Sequence, residues 1–83
     1  MRLTKYTSLT LPEQIKIAYD GLFIAKRNYK TVDCKLYYVD DYFVEIIFDN
    51  HSKSIRIRPF RSQLGLKPYI EQISIRELDR ILM

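Results

Sequence analysis

Eighty-three residues, 47% hydrophobic and 29% charged with two glycines and three prolines, describe one small globular domain and exclude a disordered or low-complexity chain. A chain of this length buries only about 60–65% of the surface its unfolded form exposes, so its margin of stability is thin. The net charge of +4 is concentrated: residues 50–70 carry five basic side chains (Lys53, Arg56, Arg58, Arg61, Lys67) and no acidic one, whereas the remainder has nine basic and ten acidic.

The first expected element is a helix over "TLPEQIKIAYDGLFIAKRNYK", residues 10–30. Thr10 and Glu13 have the spacing of a capping box, in which each side chain satisfies a free backbone donor of the other. Pro12 falls in the first turn, where its missing N–H costs little. Ile15, Ala18, Tyr19, Leu22, Ala25 and Tyr29 recur at three- and four-residue steps and trace one apolar face. Glu13 at the start and Lys26, Arg27 and Lys30 at the end suit the helix dipole. Gly21 costs about 1 kcal/mol relative to Ala inside a helix, which points to a close backbone contact.

A β-meander follows. "DCKLYYV" and "YFVEIIF" are rich in aromatic and β-branched residues and flank Asp40-Asp41, which reads as a tight turn. "DNHSK" gathers turn formers, and "SIRIRPF" alternates strictly. A two-residue loop at Asp40-Asp41 sets Val39 opposite Tyr42 and Tyr37 opposite Val44. A loop over residues 50–53 sets Ile46 opposite Ile57, Phe48 opposite Ile55 and Glu45 opposite Arg58.

That register sorts the sheet into two faces. Tyr37, Val39, Tyr42, Val44, Ile46, Phe48, Ile55 and Ile57 make an apolar face for the first helix to cover. The other face carries Leu36, Tyr38, Phe43, Glu45, Ile47, Arg56, Arg58 and Phe60, and a Glu45–Arg58 pair across the strands contributes roughly 0.2–1 kcal/mol. Pro59 lacks an amide donor, which marks the third strand as an edge or ends it. Pro68 opens a short turn through "PYIEQ". Ser74 and Glu77 repeat the capping-box spacing for a last helix that packs through Ile75, Leu78, Ile81 and Leu82. The expected fold is a single α+β domain over residues 1–83. An N-terminal helix packs on a three-stranded antiparallel meander, and one or two short C-terminal helices follow (αβββα).

Catalytic signatures are weak. His51 is the only histidine and sits among turn residues, where a solvated role is the ordinary one. Cys34 near the start of a strand reads as a packing residue, with no histidine or helix N-terminus beside it. Asp33, Asp40, Asp41 and Asp49 occupy strand ends, where Asp is a normal turn former. No Gly-rich phosphate loop is present. We therefore expect no enzyme activity, no metal, no cofactor and no small-molecule substrate.

Residues 54–62, "SIRIRPFRS", carry the functional expectation. Tyr38, Phe43 and Phe60 interleave with Arg56, Arg58 and Arg61 on the second face. Three uses fit that composition. The C-terminal helices can cover the face while arginine stems lie over it and their heads stay in water. A protein partner or a second copy can dock there, since Tyr, Phe and Arg favour interfaces. Single-stranded nucleic acid can stack on the rings while phosphates meet the arginines. Small size favours a covered face, because a three-stranded sheet with one helix is marginal.

The expected function is a small non-catalytic protein-interaction or regulatory module that self-associates, with those six residues as its surface. The alternative is a weak, sequence-independent nucleic-acid-binding protein that uses the same basic strand. The lone thiol suits a reducing compartment. "MRLTKYTSLT" lacks the apolar core of a secretory signal, and no run approaches 18 apolar residues. The expected location is the cytoplasm, with no membrane contact.

Overall fold

A computed structural model describes residues 1–69 of the chain. Its elements are α1 (Leu3–Thr7), α2 (Leu11–Asp20), β1 (Leu22–Tyr29), β2 (Val32–Val39), β3 (Tyr42–Asp49) and β4 (Ser54–Phe60), followed by a 3-10 helix at Gln63–Tyr69. The four strands form one antiparallel sheet in the order β1-β2-β3-β4. The fold is thus α+β, with four strands where the sequence suggested three.

The capping box forms. Thr10 Oγ1 accepts from the Glu13 amide at 3.4 Å, and Glu13 Oε1 accepts from the Thr10 amide at 3.1 Å. The helix it starts is half the expected length: α2 stops at Asp20, and Leu22 onward is strand. At Gly21 the backbone is extended, and a Cβ there would sit 2.7 Å from the Tyr38 carbonyl oxygen. The close contact that Gly21 signals therefore belongs to a junction, where the chain leaves the helix and runs alongside β2. Beyond it, β1 satisfies backbone groups along one side of β2 that would otherwise lack strand partners. That gain outweighs the helical spacing of Leu22, Ala25 and Tyr29. Lys30, at φ 54°, turns the chain into β2.

The register of the remaining sheet is the one the loop lengths dictate. Tyr37 pairs with Val44 and Val39 with Tyr42 across the Asp40-Asp41 turn. Ile46 pairs with Ile57, Phe48 with Ile55 and Glu45 with Arg58 across the longer loop. Asp40 and Lys53 take positive φ, which the two turns require.

Two apolar clusters lie on opposite faces. One packs Ala18, Ile15 and Ile17 of α2 with Tyr37, Val39, Tyr42, Val44 and Ile46. Tyr6 of α1 belongs to it, fully buried and 5.5 Å from the Tyr42 ring. Its hydroxyl donates to the Gln14 carbonyl at 2.7 Å, while Gln14 Nε2 returns a bond to the Tyr6 carbonyl at 3.0 Å. The other cluster holds Ala25, Cys34, Leu36 and Phe43 under Leu66 and Tyr69 of the 3-10 helix. Ala25 therefore packs on the face opposite α2, a second departure from the continuous-helix reading.

The 3-10 helix begins at Gln63, before the turn expected at Pro68, and Pro68 lies near its end. The last expected helix, with Ser74, Glu77, Ile75, Leu78, Ile81 and Leu82, lies outside the described residues.

Candidate functional site

The face bearing the six candidate residues is organised around a buried carboxylate. Cross-strand pairing places Glu45 of β3 beside Arg58 of β4 and Leu36 of β2. Glu45 is 1% exposed and accepts from Arg58 Nε at 2.8 Å. Arg27 of β1 approaches it to 3.7 Å, and the Tyr69 hydroxyl donates to its second oxygen. A buried carboxylate demands such partners, because stripping it of water without them is costly.

Each partner reads the same environment. Burial first, and then the hydrogen bond to Glu45 and its charge, push the Tyr69 phenol far above its ordinary range. Burial also pushes the Cys34 thiol up, with the Glu45 charge adding to it, so the thiolate a nucleophile needs is disfavoured. The Arg27 guanidinium lies 5.5 Å from the Tyr69 ring centroid, which ties β1 to the 3-10 helix.

The aromatic candidates stack on one another. Phe43 is 2% exposed, 5.1 Å from Tyr38 and 5.5 Å from Phe60 between ring centres. Gly65 of the 3-10 helix rests directly on the Phe60 ring, where no Cβ would fit. Arg58 covers Phe60 from another side at 4.5 Å and reaches the Gly65 carbonyl.

The cationic candidates divide by partner. Arg58 is bound to Glu45, and Arg61 meets Asp41 at 3.2 Å across exposed surface. The Arg56 side chain is exposed and makes no ion pair or hydrogen bond among the described residues. The structure thus brings Tyr38, Phe43, Arg58 and Phe60 into one packed group and leaves Arg56 and Arg61 on its rim. Ile55, between them and the loop, is 38% exposed on the other side of β4.

Residues outside the six complete the arrangement. Arg27 and Tyr69 were not legible as members, because both arrive from segments far from Glu45 in sequence. His51 lies in the β3–β4 loop, its amide donating to Asp49 Oδ1 at 2.9 Å, a bond that holds the Asp49 carboxyl below its usual range. Among the described residues no three His, Cys, Asp or Glu side chains converge as metal ligands, and no helix is long and apolar enough to cross a membrane.

Compared with protein-family models, with curated proteins and with solved structures, the chain matches none.

Proposed function

We propose that this chain is a non-catalytic interaction module that docks protein, in the first place a second copy of itself, through the outer side of β4. The observation that carries the reading is the state of that strand. Among the described residues β4 is a sheet edge whose backbone pairs with β3 alone, with Ile55 and Arg56 exposed along it and Arg61 just beyond. Open edges accept another strand, and Pro59 confines such pairing to the stretch from Ser54 to Arg58.

The nucleic-acid alternative has less behind it. Base stacking needs free ring faces, and Phe43 is buried between Tyr38 and Phe60. Phosphate binding needs uncommitted cations, and two of the three arginines hold carboxylates of this chain.

Light scattering over a range of concentrations tests the proposal. The average mass rises with concentration for the parent protein and stays at that of a monomer for the exposed double variant Ile55→Ser/Arg56→Glu. Equal behaviour of the two would defeat it. Retention on single-stranded oligonucleotides that collapses with salt would favour the alternative instead.

A further inference from the structure

On the α2 side of the sheet, the shortened helix leaves part of the apolar face uncovered among the described residues. Strands of seven or eight residues rise about 25 Å, and a helix is about 10 Å across. α2 crosses the sheet in contact with β1, β2 and β4, and Tyr6 of α1 packs on Tyr42 beside the β2–β3 turn. Toward the opposite end of the strands, Ile15 and Tyr19 of α2, Ile46 and Phe48 of β3 and Ile55 of β4 line a groove of about 270 Å³. Tyr19 is 53% exposed there.

The groove has a basic margin. Lys35 of β2 lines it and pairs directly with Lys26 of β1, so two ammonium groups sit on the same face of the sheet. A second depression, of about 250 Å³, shares Lys35 and Asp33 with the first and extends past Lys26. Like charges directly across an antiparallel pair destabilise a sheet, yet neither lysine has an ion-pair partner among the described residues. The one acid of this margin, Asp33, accepts a hydrogen bond from Asn50 Nδ2 at 2.8 Å.

We infer that this groove receives an amphipathic helical segment of another protein, apolar on the side facing Ile46, Phe48 and Ile55 and acidic on the side facing Lys26 and Lys35. The groove runs beside α2, and Lys35 Nζ lies 6.0 Å from the Tyr19 ring centroid. Lysines without an ion pair among the described residues favour carboxylates over a second copy of this basic chain. The groove opens on the sheet face opposite Arg56 and Arg58 and shares Ile55 with the β4 edge, so its test is read at Tyr19, Lys35 and Phe48, which that edge does not use.

A synthetic 15-residue peptide with leucines at i, i+3, i+4 and i+7 and flanking glutamates probes it, with a lysine-flanked peptide of the same apolar content as control. Titration followed by amide chemical shifts and calorimetry should show saturable binding of the glutamate peptide. The shifts should centre on Tyr19, Lys35, Phe48 and Ile55, and affinity should fall as salt rises. The exposed double variant Lys26→Glu/Lys35→Glu should lose at least about fivefold in affinity for that peptide, as two surface ion pairs would give. It should also gain affinity for the lysine peptide. Equal binding of both peptides, shifts centred on Arg56 and Arg58, or no binding overturns the inference. So does concentration-dependent protection of Tyr19, Lys35 and Phe48 by the protein alone, or lysine-dependent sedimentation with anionic vesicles in the absence of peptide binding.

Discussion

Arg58 Nε donates to Glu45 at 2.8 Å across the β3–β4 ladder, from a partly solvated side chain to a carboxylate that is 1% exposed. The asymmetry decides what each substitution costs. Taking away the cation with Arg58→Met leaves a buried charge short of its nearest partner, an expected loss of about 2 kcal/mol. Replacing both with Glu45→Leu/Arg58→Met should cost less than the single changes Glu45→Leu and Arg58→Met summed. Urea denaturation of the two singles and the double measures the coupling.

Gly21 gives a prediction whose sign separates two architectures. Inside a continuous helix, Gly21→Ala would stabilise by about 1 kcal/mol. At the α2–β1 junction the added Cβ meets the Tyr38 carbonyl at 2.7 Å, so the same change should destabilise by about 1–3 kcal/mol. Thermal unfolding reads the difference directly.

The alkaline limit of stability follows from the buried phenols. Burial, with the neighbouring Tyr42 adding to it, raises the Tyr6 pKa from 10.0 to about 12, and Tyr69 is raised further. A raised folded-state pKa means that the unfolded chain releases its proton first. The contribution is therefore complete below pH 10.0 and is lost as the pH climbs toward about 12. Denaturation curves across that interval should show falling stability, and Tyr6→Phe should make the fall shallower. A stability independent of pH there would contradict the placement of both rings.

The capping box is a local test. Thr10→Ala removes the oxygen that accepts from the Glu13 amide and should cost about 1 kcal/mol, measured by thermal unfolding. Glu13→Gln keeps an acceptor for the Thr10 amide and should cost less.

The middle of the fold was legible because loop length fixes register. Two residues at Asp40-Asp41 and four at Asn50–Lys53 were enough to pair Tyr37 with Val44 and Glu45 with Arg58. β1 was not, for a physical reason: the register shifts between Phe23 and Ala25, so Ile24 breaks the two-residue alternation that marks a strand. With alternation lost, Leu22, Ala25 and Tyr29 fit a helical step instead. α1 escaped notice because "LTKYT" is one turn with too few apolar residues to show a stripe. The groove was hidden by the same error as β1, since a helix of twice the length would have covered Phe48 and Ile55. Of the candidate surface, the Glu45–Arg58 pair could be read in advance. The cover supplied by Gly65, Leu66 and Tyr69 could not, because nothing local in sequence ties Tyr69 to Glu45.

Amide hydrogen exchange at low and high protein concentration addresses docking at β4 most directly. Ser54 to Arg58 should exchange more slowly as concentration rises, while Leu22 to Tyr29 on the opposite edge stays unchanged. Rates in β4 that ignore concentration, in a protein that sediments as a monomer throughout, would contradict it.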